Sequence, residues 1–139
     1  MSLCGKCRLE GNHTTHTCSV DMQTFYCVWC IWKKTENAIP RDINISSLTP
    51  FHEIEWDGIY ATEVAQMKVG EHWNRIHDAD LTYPIIVMEH NKQLEVIDGA
   101  HRLAKSHILK RKTVACVKVT PEMLVDCRVI DTTYDTSLE

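Results

Sequence analysis

Glu95-Val96-Ile97-Asp98-Gly99-Ala100-His101-Arg102-Leu103 joins a short apolar run to a helix-like stretch through an Asp-Gly pair. The pattern predicts a strand running into a tight turn at a helix N-terminus. The first N–H groups of a helix lack intrahelical partners and carry partial positive charge, so such a turn suits an anion, phosphate above all. Gly99 and Ala100 are expected to present backbone donors, and glycine permits both an unusual backbone conformation and a close approach. His101 and Arg102 fall in the first helical turn, where their side chains add further donors. The planar fork of Arg102 matches phosphate oxygens. Asp98 is placed to cap the helix or to hold a divalent cation beside the phosphates. The same residues also read as an ordinary strand–turn–helix with two solvated polar side chains, so the neighbouring sequence has to decide.

Pro84-Ile85-Ile86-Val87-Met88 precedes the stretch, followed by a polar turn at His90-Asn91-Lys92-Gln93 and then Leu94 to Ile97. This reads as a β-hairpin. Downstream, Leu103, Ser106 and Leu109 recur at helical spacing with Ile108 beside them. Thr113 to Val119 reads as another strand, which Pro121 closes. The order of these elements, and the phrase PIIVMEHNKQLEVIDGAHRLAKSHILKRKTVACVKV in particular, resembles the ParB/sulfiredoxin superfamily, which includes ParB-like nuclease domains. The resemblance implies an α+β fold, a small mixed sheet with packed helices, over residues 41–130, with Ile43 to Leu48 as its opening strand.

The resemblance also implies a function. A nucleotide or nucleic-acid phosphate would bind at Asp98-Gly99-Ala100-His101-Arg102, with Mg2+ beside a bound nucleotide, in DNA-associated or nucleotide-dependent phosphoryl chemistry. Glu53, after the first strand in Pro50-Phe51-His52-Glu53, stands where some kinase members carry a Glu that acts on a substrate hydroxyl. This makes Glu53, Asp98, His101 and Arg102 the catalytic candidates, and a small-molecule kinase the first alternative. The sequence departs from the family pattern in several places. Ala100 replaces the reactive Cys of the sulfiredoxin Gly-Cys-His-Arg motif, which removes that reaction's nucleophile. The arginine-rich box of chromosome-partitioning ParB is absent. Lys110 stands where Gly often ends the helix, and Ala115 where Pro is common. The second alternative is a non-catalytic regulatory or docking protein with a protein partner.

Seven cysteines suggest reduced thiols or metal in a chain expected to be cytoplasmic. Cys4-x2-Cys7 and Cys27-x2-Cys30 are separated by nineteen residues, a spacing suited to a structural Cys4 zinc shell. Two residues between thiolates let a tight knuckle turn both sulfurs toward one ion. Residues 1–40 are therefore expected to be a zinc-ribbon-like module and linker, with the Zn2+ structural. His13, His16 and Cys18 leave open a replacement of one of the four ligands. Thr17 to Tyr26 alternates like a strand or hairpin arm, and Lys33 to Arg41 reads as a linker. Trp29 and Trp32 suit either stacking on bases or packing the module onto the main domain, and in so short a module packing is expected.

Hydrophobic residues at 44% and charged residues at 24% fit a globular chain, and no apolar run approaches the ~20 residues of a membrane span. The net charge of −4 gives no general attraction for nucleic acid. Its distribution is uneven: residues 42–89 are acidic apart from Lys68, Arg75 and the histidines, whereas residues 91–120 are basic apart from Glu95 and Asp98. A basic strip beside the phosphate turn follows, unless its lysines are merely solvated. Ile59 to Val69, closed by Gly70, and Glu71 to His77 read as helices. His72, His77, Asp78 and Asp80 match no recognisable metal spacing. His107 and Cys116 read as core residues, Cys127 as packing a short final strand, and residues 131–139 as a flexible tail.

Overall fold

The computed structural model describes residues 2–4, 16–18, 25–56, 58–90 and 92–131. In chain order the elements are β1 (Ser2–Cys4), β2 (His16–Cys18), β3 (Phe25–Cys27), α1 (Val28–Thr35), β4 (Arg41–Asn44), β5 (Glu55–Trp56) and β6 (Ile59–Tyr60). They continue with α2 (Ala61–Met67), α3 (Glu71–Asp78), β7 (Ile85–His90), β8 (Gln93–Asp98), α4 (Ala100–Ile108), β9 (Thr113–Val119) and β10 (Val129–Asp131). Short 3₁₀ turns occupy Ile45–Ser47, Phe51–Glu53 and Pro121–Cys127.

Four strands form a mixed sheet in the order β4-β9-β7-β8. The β7–β8 hairpin is antiparallel, β9 returns parallel to β7 after α4, and β4 pairs antiparallel with β9. Ile85, Ile86, Val87 and Met88 are all buried, so β7 is covered on both faces. Alternate side chains of a strand point to opposite faces, and the two cores divide accordingly. Ile85, Val87, Val114 and Cys116 pack with Leu103, Ala104, Val64 and Ile76 of the α2–α3–α4 layer. Ile86, Met88, Ile97, Val117 and Val119 pack instead with Tyr26, Cys27, Cys30, Ile31, Leu124 and Cys127.

That second core draws on both sides of the boundary expected near residue 41: residues 26–31 cover one face of the sheet. Ile31 and Cys27 have no measurable exposure, and β1 pairs antiparallel with β10 at the far end of the chain. The sheet presents apolar side chains on both faces, so it needs α1 and the Pro121–Cys127 turn to keep the second face from water. Lys34 pins the two together, donating to the Met123 carbonyl at 2.7 Å and to the Asp126 carboxylate.

Other boundaries shift for local reasons. The opening strand is Arg41–Asn44, and Ile45–Ser47 turns away as 3₁₀ while the Ile45 N–H bonds the Lys112 carbonyl at 2.9 Å. Ile59 and Tyr60 pair with β5, so the expected helix from Ile59 starts at Ala61. It ends at Lys68, in the left-handed region at φ 55°, and Gly70 instead caps the start of α3. The expected linker from Lys33 is helical through Thr35. β2 and β3, at the two ends of the stretch expected as a strand or hairpin arm, pair antiparallel. Cys7 and His13 lie outside the described residues, as do residues 132–139 of the expected tail.

Candidate functional site

β8 delivers Asp98 to the sheet edge, and the chain reverses at Gly99 into α4. Gly99 sits at φ 106°, a conformation that side chains disfavour, and its carbonyl accepts the first helical bond from Leu103 at 2.8 Å. There is a second reason for glycine here. A Cβ at this position would lie 3.0 Å from Nη2 and 3.1 Å from Nε of Arg102, and 3.2 Å from Cγ1 of Ile85. Arg102 folds back over the turn and occupies the space that a side chain at position 99 would need.

Three side chains converge on this turn. Arg102 Nη2 donates to Asp98 Oδ2 at 3.1 Å, and Trp32 Nε1 donates to the same oxygen at 2.7 Å. Asp98 therefore ties α1 to the turn instead of capping α4, which has no side-chain N-cap bond. Arg102 is not the exposed residue its helical position suggests: its side chain is 21% accessible, and Nε is buried with no hydrogen-bond partner among the described residues. Asp98 and Arg102 line a cavity of about 700 Å³, whose walls also include Trp32, Pro40, Tyr83 and Pro84. Trp32 was expected to be packed away, yet it is 50% exposed and forms part of that wall.

His101 leaves the turn and enters a different cluster. Its ring stacks on Trp56 at 4.4 Å, and its Nε2 lies 3.0 Å from His72 Nδ1 of α3. Trp56 stacks on His72 as well, at 4.6 Å. Burial first, then the nearby charges of His72, Arg75 and Arg102, lowers the His101 pKa to about 4. At neutral pH the ring is uncharged. His101, expected as a further donor at the turn, is held by His72 and Trp56 instead.

Glu53 is also separated from the turn. The Thr49 carbonyl accepts from the His107 Nε2–H at 3.0 Å, and Phe51 packs on the same ring at 5.7 Å. The Phe51–Glu53 turn is thus held at the C-terminal end of α4, about 10 Å of helix away from Ala100. Glu53 lines a second, polar groove with Ser47, Glu89, Lys92 and Lys118, which shares no residue with the cavity at Arg102. The basic strip is likewise partly engaged: Lys105 donates to the His77 and Ala79 carbonyls that end α3, and Lys118 pairs with Glu89 at 3.2 Å. Cys116 is buried, and burial together with nearby Asp42 pushes its thiol up to about 11, which removes it as a nucleophile.

Cys27 and Cys30 are the two expected zinc ligands whose side chains the structure describes. Both are buried where β3 passes into α1, and Cys30 lies in the first helical turn, where the dipole favours a thiolate. Cys4 belongs to β1, which is held through β10 near β3. Among the described residues no group of three or more His, Cys, Asp or Glu side chains is gathered for a metal ion.

No protein-family model matches the sequence, and no curated protein matches it either. Among solved structures, the chain is similar to the C-terminally truncated chromosome-partitioning protein ParB from Caulobacter crescentus, complexed with CTP-γ-S. The two are 16% identical with a TM-score of 0.39, over 60% of this chain and 45% of that one. The chain thus spans less than half the length of that protein. It is also similar to sulfiredoxin from Arabidopsis thaliana, at 17% identity and a TM-score of 0.36, over 63% of this chain and 93% of that one.

Trp32, Tyr83, Trp56 and His72 were not among the site residues expected from the sequence. Tyr83 had a local signal, an aromatic ring placed against Pro84 just before the central strand. Trp32 reads from the sequence as a stacking or packing aromatic, but nothing local places it at the turn, because its partner Asp98 lies 66 residues away.

Proposed function

We propose that the chain binds a nucleotide through its phosphates at the Asp98–Arg102 turn. The observation that supports this reading is Arg102 itself. A guanidinium held over a positive-φ glycine at a helix N-terminus, in the wall of a sizeable cavity, combines backbone donors with a planar cation. A nucleotide is preferred to a nucleic-acid strand because a strand needs a continuous run of available cations. Lys105 and Lys118 already have partners on the protein. Asp98 can take a Mg2+ beside the phosphates once Arg102 swings from its carboxylate to the ligand.

Binding is favoured over phosphotransfer. Glu53, the base required by a kinase reading, lies in a groove at the other end of α4. His101 is uncharged and engaged with His72 and Trp56. A thermal-shift series with nucleoside di- and triphosphates, with and without magnesium, tests the proposal. The melting temperature should rise with nucleotide, and less so at high salt, because the contact is ionic. A chain whose melting temperature answers to no nucleotide does not have this function.

A structural zinc is the second part of the proposal, with Cys4, Cys7, Cys27 and Cys30 as ligands. Its support is the buried Cys27–Cys30 pair beside β10 and α1. Protein prepared with zinc available should carry about one zinc per chain by elemental analysis. Cys30→Ser should lose it, and metal-free parent protein would contradict the assignment.

A further inference from the structure

We propose that the cavity between α1 and the start of β7 is a ring-binding site, in which Trp32 and Tyr83 hold the base of the nucleotide. The inference rests on the phosphate reading above for the ligand's identity, and on the cavity for its place. Both aromatic side chains are substantially exposed, Trp32 at 50% and Tyr83 at 61%, and both line the same cavity with Pro40 and Pro84. Exposed aromatics facing a concavity offer flat apolar surface to a planar ring. The Trp32 indole is held in place before any ligand arrives, because its N–H is fixed to Asp98 at 2.7 Å. A wall fixed in advance loses little entropy on binding.

Charge sets the direction in which the ligand lies. Glu36, which follows α1, and Arg102 of the turn both line the cavity. The carboxylate makes the α1 side a poor place for a polyphosphate, and the guanidinium makes the turn the favourable one. The ring therefore goes between Trp32 and Tyr83, and the phosphates lie outward over Gly99 and the start of α4. A volume of about 700 Å³ accommodates a nucleoside. The N-terminal helix thus becomes part of the binding site as well as a cover for the sheet.

Nucleosides and tripolyphosphate separate the two halves of the ligand. The readouts are the indole N–H resonance of Trp32, assigned by its loss in Trp32→Phe, and calorimetric titration of the full chain. Adenosine or another nucleoside, which lacks phosphate, should shift the Trp32 resonance. Tyr83→Ala, a change at an exposed side chain, should weaken nucleotide binding about ten- to hundredfold, the range of one lost base–aromatic stack. Tripolyphosphate, which has no ring, should bind that variant as it binds the parent. If nucleosides leave the Trp32 resonance unmoved and Tyr83→Ala binds nucleotide like the parent, the ring site is wrong, and tripolyphosphate binding would still uphold the phosphate site. If nucleosides bind through Tyr83 while tripolyphosphate does not bind, the ring site stands and the phosphate reading falls. If neither class binds, both are overturned.

Discussion

Gly99 is where backbone geometry and side-chain packing impose the same choice. Its positive φ and the nearness of Arg102 and Ile85 both exclude a side chain. Gly99→Ala should lower unfolding free energy by about 1–3 kcal/mol, read from the denaturant midpoint. His101 makes a different test, through pH. Its folded-state pKa of about 4 lies below the ordinary 6.5, so between those values the unfolded chain binds more protons. Stability from this group is complete above pH 6.5 and is lost as pH falls toward 4. Partial exposure reduces the effect to the order of 1–2 kcal/mol. His101→Gln should flatten the slope of unfolding midpoint against pH over that range, and an unchanged slope would assign it to other groups. The sequence made Gly99 legible because Asp-Gly before a helix is a local signal. It did not reveal the His101 environment, since Trp56 and His72 reach it from separate elements.

The elements that were well foreseen are those whose signals are local. The β7–β8 hairpin, α4 and β9 follow from apolar runs broken by polar turns, and Lys110 after α4 takes the left-handed conformation, φ 57°, that glycine adopts most readily. The misjudged ones depend on distant partners. Ile59 and Tyr60 carry a helix-compatible pattern yet pair with Glu55 and Trp56, and α1 extends into what reads as linker. The Lys34–Asp126 pair joins α1 to the Pro121–Cys127 turn, and the carboxylate raises the Lys34 pKa. As a partly exposed pair it should contribute little: Lys34→Met should cost no more than about 1 kcal/mol. Ile31→Ala, one turn earlier and fully buried, should cost about 2–5 kcal/mol. Chemical denaturation of the two variants side by side measures whether packing or the ion pair holds α1 in place.

The two faces of one sheet decide how the chain is divided. Residues 26–31 share a core with Ile86, Met88, Val117 and Val119, so the expected boundary near residue 41 cuts through that core. Ile31→Ala should therefore shift the single unfolding transition of the chain, without creating an early separate one. A chain shortened to residues 41–139 should expose the Ile86–Val119 face and fail to give a cooperative transition. Cysteine spacing suggested a separate module because the pairs are close in sequence. The burial of Cys27 and Cys30 against the sheet depends on β7 and β9, which no local pattern near the cysteines discloses.

Arg102 carries the functional account, and one comparison tests it: calorimetric titration of a nucleoside triphosphate into the parent and into Arg102→Ala, at one fixed salt concentration. Circular dichroism of both proteins confirms that the fold is retained. Loss of a charge-assisted, forked contact should weaken binding by about 1.5–3 kcal/mol, or ten- to a hundredfold, with Arg102→Lys recovering only part of it. A folded Arg102→Ala protein that binds the nucleotide as tightly as the parent would contradict the account.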